Sequence, residues 1–171
     1  MSTKDPAPPQ GDIIPEGHLV ELGPLFMAAV EARANGQVDK ALDGFAAVLA
    51  KEPRLAEPRM ELGSIYLDIG RLEDAEVQAR EAIRILEAGG QWTEELPENV
   101  VLGMAWALLG ATLKEQASSD AVVFGEDPQK FRDLIDQAAA AFKRAAELDP
   151  TDADSEVTAL ELQDQAEPGD N

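Results

Sequence analysis

The acidic run "DPTDADSE", residues 149–156, bunches Asp149, Asp152, Asp154 and Glu156 closely enough to resemble a calcium loop. Such a loop needs a central glycine at its sixth place and a bidentate glutamate at its twelfth. Counted from Asp152, those places hold Val157 and Gln163, so the pattern fails. The acids read instead as the first turn of a helix with Thr151 or Asp152 as its N-cap, where negative charge meets unpaired backbone N–H groups. His18 is the single histidine and has no partner set for metal binding or catalysis. There is no cysteine, which excludes disulfides, thiolate metal sites and thiol nucleophiles. No glycine-rich phosphate loop occurs. The expectation is a protein that is not an enzyme and holds neither metal nor cofactor.

Charge narrows the partners. The 171 residues carry 34 Asp and Glu against 14 Lys and Arg, a net charge of −20. Such a surface repels nucleic acid and anionic lipid and attracts basic partners, or serves only to keep the chain in solution. The opening "MSTKDPAPPQGD" has neither an apolar stretch nor a small-residue cleavage site, so it does not read as a signal peptide. No segment is long and apolar enough to span a bilayer, and the default expectation is a cytoplasmic location.

The elements that position these residues are helices. Alanine and leucine dominate the apolar set, and from Leu22 onward apolar residues recur at helical spacing. "NGQVDKALDGF" (35–45) and "IGRLEDAEVQA" (69–79) align with each other. Gly36 matches Gly70, Val38 matches Leu72, and Ala41 matches Ala75, each 34 residues apart, as are Pro24 and Pro58. The unit is a helical hairpin. The first runs from about Pro24 to Ala34, turns at Gly36 and returns from Val38 to Ala50. The second runs from about Pro58 to Ile69, turns at Gly70 and returns from Leu72 to Leu86. Both prolines suit a helix's first turn. Ala29, Ala41, Gly63 and Ala75 are small enough for close helix approach, while Phe45, Leu62, Tyr66 and Ile83 fill space. In "AWALLGATL" a mid-helix glycine, Gly110, costs about 1 kcal/mol relative to alanine. It reads as a packing contact, with Trp106 in the core.

These residues carry a resemblance. The chain resembles the tetratricopeptide repeat (TPR) family, whose 34-residue helix–turn–helix unit follows W-x2-L-G-x2-Y…A-x3-F…P. "WALLGATL" supplies Trp106, Leu109 and Gly110, with Leu113 in the tyrosine place. "ELGSIY" supplies Leu62, Gly63 and Tyr66, with Arg59 in the tryptophan place. "ALDGF" supplies Ala41 and Phe45 ahead of Pro53, and "AAAAFKRAAELDP" supplies Ala138, Phe142, Ala145 and Pro150. The first repeat departs at its start, where Ala28 and Ala29 replace leucine and glycine. The resemblance covers roughly residues 22–150. It implies an all-α, right-handed α-solenoid of three TPR-like hairpins, at about 22–55, 56–89 and 97–150, plus a C-terminal capping helix at about 152–165. Residues 1–17 read as a flexible proline-rich arm whose "DIIP" packs locally, residues 18–165 as the domain, and 166–171 as a frayed tail.

Two stretches interrupt the array. From Leu113 to Ala138 the chain takes 25 residues where the family takes nine, so about sixteen are inserted. The insert, near 117–128, contains Val122, Val123 and Phe124, which either fold back onto the hairpin or form an exposed contact for a partner. The second stretch, "EAGGQWTEELPENVV", stops one helix at its glycines and opens the next near Pro97, with Thr93 or Glu95 as cap and Trp92 over the apolar seam. In the final helix, Val157, Leu160 and Leu162 form a modest apolar stripe.

The resemblance also implies that first helices line a concave groove. By helical spacing the lining comprises Phe26, Met27, Val30 and Arg33, then Met60, Glu61, Ser64, Leu67 and Asp68, then Met104, Ala107, Leu108, Ala111 and Lys114. Methionine suits adaptable apolar recognition. A family subset clamps acidic tails with Lys, Arg and Asn, but the matching places here hold Phe26, Val30, Met60 and Ser64. The reading is a protein-interaction adaptor, co-chaperone-like, binding an apolar or amphipathic peptide with basic flanks. Its alternative is a scaffold that self-associates through open repeat ends, arm or insert. The expected partner is protein or peptide, with no nucleic acid, no membrane insertion, and a monomer or weak homo-oligomer.

Overall fold

The computed structural model describes residues 14–89, 96–123 and 127–166, and every regular element among them is helical. The helices are α1 (Glu16–Ala34), α2 (Val38–Lys51), α3 (Glu57–Asp68), α4 (Leu72–Glu87), α5 (Glu98–Ala117), the single turn α6 (Asp120–Val123), α7 (Pro128–Leu148) and α8 (Ala153–Ala166). They pack in chain order, α1 on α2 through to α7 on α8, with α3 also touching α5 and α6 resting against α5 and α7.

The first two pairs close through the same turn. Gly36 and Gly70 have φ of +70° and +75°, a backbone state that side chains with a Cβ seldom adopt. The hydrogen bonds repeat too. Gly36 N–H donates to the Arg33 carbonyl at 2.9 Å and Gln37 N–H to that of Ala32 at 2.9 Å, while Gly70 and Arg71 donate to Leu67 and Tyr66 at 3.0 and 2.8 Å. At the end of α4, Gly89 has φ +77° and stops the helix as its sequence suggests.

Burial follows the spacing of apolar residues. Ala29, Ala41, Phe45, Leu62 and Ile65 join α1, α2 and α3, and the Phe26 and Phe45 rings meet edge to face at 5.5 Å. A larger cluster, including Leu86, Leu109, Leu113, Ile135, Phe142 and Leu162, runs through α4, α5, α7 and α8. Ile14 packs with Leu22, Val48 and Leu55, so the end of the apolar "DIIP" element lies against the body, while Asp12 and Ile13 fall outside the described residues.

Three expectations need correction. Helix α1 begins at Glu16, eight residues ahead of Pro24, which lies inside the helix. Pro24 withholds only one N–H, from the carbonyl of Val20, an exposed residue with solvent at hand. Gly23 before it has no Cβ to collide with the proline ring. Leu19 and Leu22, packed with Ile14 and Val48, hold the preceding turns in place. The expected arm therefore overlaps α1 at its last two residues, and residues 1–13 lie outside the described part, as does the tail from 167. The second correction concerns α8: Leu162 is buried, but Val157 and Leu160 are exposed. Ser155, Ala159 and Leu162, spaced four and three apart, face inward instead. Third, α5 opens behind Pro97, which occupies the N-cap place with no side-chain cap; Trp92, Thr93 and Glu95 lie outside the described residues.

The inserted residues go largely into helix length. Helices α5 and α7 have 20 and 21 residues, against 12 and 16 for α3 and α4. Val122 folds into the core from α6, whereas Val123 is exposed. Phe124 lies outside the described residues.

Candidate functional site

The surface singled out from sequence runs along α1, α3 and α5. Neighbouring first helices meet at small residues: the Leu108 side chain of α5 sits where a Cβ on Gly63 of α3 would come within 2.9 Å of it. Leu108 is thus half-buried between two helices, as are Met60, Ala107 and Ala111, which pack on the larger core. Phe26 and Val30 pack on the smaller one. Two methionines stay open, Met27 at 61% and Met104 at 49% exposure.

The polar members divide into a joined group and a separate residue. Arg33 donates to Glu61 and, at 2.8 Å, to the Ser64 hydroxyl, and it reaches Asp68 at 3.5 Å. One guanidinium from α1 therefore ties together three side chains of α3, and its charge is answered within the protein. Leu67 lies half-exposed in the same stretch of α3. Lys114, on α5, is exposed and forms no ion pair with the described residues. These three helices carry half-buried and exposed apolar side chains, two of them open thioethers, together with a guanidinium answered within the protein and an exposed lysine.

Carboxylates elsewhere are held in structural roles. Glu52, 4% exposed at the turn into α3, accepts from Arg54 Nε at 2.8 Å, from Arg54 Nη2 at 2.8 Å and from its backbone N–H at 3.0 Å. Those bonds hold its carboxyl below the ordinary glutamate range, with burial opposing and His18, 3.8 Å away, assisting. Burial disfavours ionised Glu76, but hydrogen bonds from Gln116 and Arg80, both at 2.8 Å, outweigh it and lower its pKa. The acidic run at 149–156 does what capping requires. Asp152 accepts from the Ser155 N–H at 3.0 Å and from its hydroxyl, and Asp149 accepts from the Thr151 N–H at 3.0 Å. Among the described residues no group of three or more His, Cys, Asp or Glu side chains is placed to hold a metal ion.

Sequence reasoning missed two features. Gly44 of α2 presses against Ala29, whose Cβ would stand 2.7 Å from a Cβ added there; its signal was a glycine inside a helix without turn chemistry. The other is a groove of about 410 Å³ between α4 and α7, floored by Trp106, Leu109 and Leu113 and crossed by a 3.4 Å bond from Arg80 to Gln137. Trp106 Nε1 is buried without a hydrogen-bond partner among the described residues. As expected, Trp106 packs on the core and Gly110 is a contact point, its Cα facing the Phe142 ring.

Helices paired in sequence, closed by repeated glycine turns and touching at small residues, define a TPR-like fold. In fold the chain is similar to the Arabidopsis OM64 TPR domain, with a TM-score of 0.64, 15% sequence identity, and coverage of 87% of this chain and 99% of that one. No protein-family model matches the sequence, and no curated protein matches it. No helix among the described residues is long and apolar enough to cross a membrane.

Proposed function

We propose that this chain is a non-catalytic protein-interaction module, adaptor-like or co-chaperone-like, built as a right-handed solenoid of three TPR-like hairpins with α8 as a terminal helix. It binds an apolar or amphipathic peptide segment with basic flanks along α1, α3 and α5. The observation that carries the reading is the exposure of Met27 and Met104 on first helices of the array, beside half-buried Phe26, Val30, Met60 and Leu108. Exposed methionines adapt to varied apolar partners at little conformational cost. The net charge of −20 favours a basic flank, and Arg33 is already neutralised by Glu61 and Asp68.

The test is affinity capture from a lysate of the source organism with wild type and Met104→Glu, a change at an exposed position. Loss of specific partners from the variant supports the reading. Identical partner sets for the two proteins overturn it.

A further inference from the structure

The last helix has the wrong polarity for a cover. A terminal helix of a solenoid needs a polar outer face, yet α8 exposes Val157 at 54% and Leu160 at 59%. Its inward face, Ser155, Ala159 and Leu162, packs on α7. This is the relation that α3 has to α2 and α5 to α4: a first helix laid against the second helix of the preceding pair. Both α3 and α5 are covered on another side by their own partner helices, α4 and α7. Among the described residues no helix covers α8 in that way.

The register explains the exposed leucine. Nine and ten residues after Pro53 come Leu62 and Gly63; nine and ten after Pro150 come Ala159 and Leu160. Leu62 and Ala159 are both buried. Gly63, like Gly110 in α5, faces the second helix of its pair: a Cβ on Gly63 would stand 3.4 Å from Gln78 Cβ, and one on Gly110 would stand 2.9 Å from the Phe142 ring. Leu160 thus projects where α3 and α5 have a glycine, and α1 an alanine, for close helix approach. It forms one wall of an open groove of about 420 Å³ between α7 and α8, with Lys143, Ala146, Glu147 and Gln163. The flanks are acidic: Asp154, Glu156, Glu161 and Asp164 are all exposed, and α8 contains no Lys or Arg.

We infer that the outer face of α8 is a docking site, separate from the strip on α1, α3 and α5, for an amphipathic helix of a partner protein with lysine or arginine flanks. The uncovered side of a first helix has the shape of half a hairpin, so its occupant is a helix. Leu160 in the glycine place requires a small residue, alanine or glycine, at the crossing. The four carboxylates select basic flanks and disfavour self-pairing of two α8 helices, which would set acid against acid.

The probe is a fluorescein-labelled synthetic helix of leucine, alanine and lysine with all leucines on one face, titrated against the full chain by anisotropy. A scrambled peptide of the same composition, with no apolar face, serves as control. Wild type is compared with the double variant Val157→Gln, Leu160→Gln, and with Val77→Gln on α4, which lies outside both surfaces; all three positions are exposed, and circular dichroism verifies folding. The inference expects the double variant to weaken binding by about tenfold or more, Val77→Gln to leave it unchanged, and the scrambled peptide to bind at least about tenfold more weakly than the helix. Equal binding by wild type and the double variant overturns it. So does an equal loss in Val77→Gln, which would mark the effect as unrelated to the outer face of α8. Equal binding of the scrambled peptide overturns it as mere charge attraction. A dimer in light scattering that Leu160→Gln abolishes also overturns it, naming a second copy as the occupant.

Discussion

Gly63 and Gly110 occupy the same place in the repeat, but their neighbours differ. A Cβ on Gly63 meets the end of the half-exposed Leu108 side chain at 2.9 Å, which can swing aside. A Cβ on Gly110 meets three atoms of the buried Phe142 ring at 2.9–3.0 Å, where no rotation gives relief. Overpacking costs about 1–3 kcal/mol, against about 1 kcal/mol gained in helix propensity. Gly110→Ala is therefore expected to destabilise the chain and Gly63→Ala to change it little, as read from urea midpoints. Glu52 supplies a pH-dependent prediction. Its folded pKa is depressed, chiefly by Arg54, so the stabilisation is fully present above the ordinary glutamate pKa and is lost as pH falls through the folded value. Arg54→Gln is expected to lower stability by about 1–2 kcal/mol near neutral pH. The gap to wild type should narrow as pH falls below the ordinary glutamate range and close once pH passes the depressed folded value; urea titrations across the acidic range check it. Gly110 was legible in sequence because a glycine within a strong helical pattern needs a reason. The link from Arg33 was not: its partners lie 28, 31 and 35 positions away, a set fixed by how two hairpins lean together and not by the repeat period.

Helices were legible wherever punctuation and periodicity agreed. Gly36, Gly70 and Gly89 mark true ends, and α2, α4 and α5 lie within a residue or two of their expected bounds. The start of α1 was misread because proline was taken as a beginning, although Leu19 and Leu22 already continued the apolar spacing behind it. In α8 the apolar set was misassigned because Ser155 and Ala159, small and mildly polar or neutral, form the contact face while larger residues stand outside. That contact face depends on its cap. Asp152→Ala removes acceptors for the Ser155 N–H and hydroxyl and is expected to cost about 1 kcal/mol. The loss should be local, seen as faster amide exchange over the first turn of α8 with little change in α3 or α4.

Across the whole molecule, stability is divided between two main cores. One joins α1, α2 and α3; the larger spans α4, α5, α7 and α8. Arrays of this kind open in parts, since each pair is held mainly by its neighbours. Amide exchange is expected to be faster in α1 and α2 than in α5 and α7, and uniform protection would contradict this. Within the smaller core, Arg33 helps to hold the first two hairpins in line. Its partners are about one-third to two-thirds exposed, so Arg33→Met should cost only a few tenths to about 1 kcal/mol. That cost should shrink in high salt, as urea titrations at two ionic strengths would reveal. The 34-residue period made the array legible, but not the cavities or the link between hairpins, which arise only when helices of unequal length are stacked. The matched turns at Gly36 and Gly70 carry a practical corollary. Because the chain leaves both corners along the same path, a gene segment cut at one and pasted at the other encounters familiar geometry, and duplicating residues 36–69 should lengthen the rod by one unit without a redesigned joint.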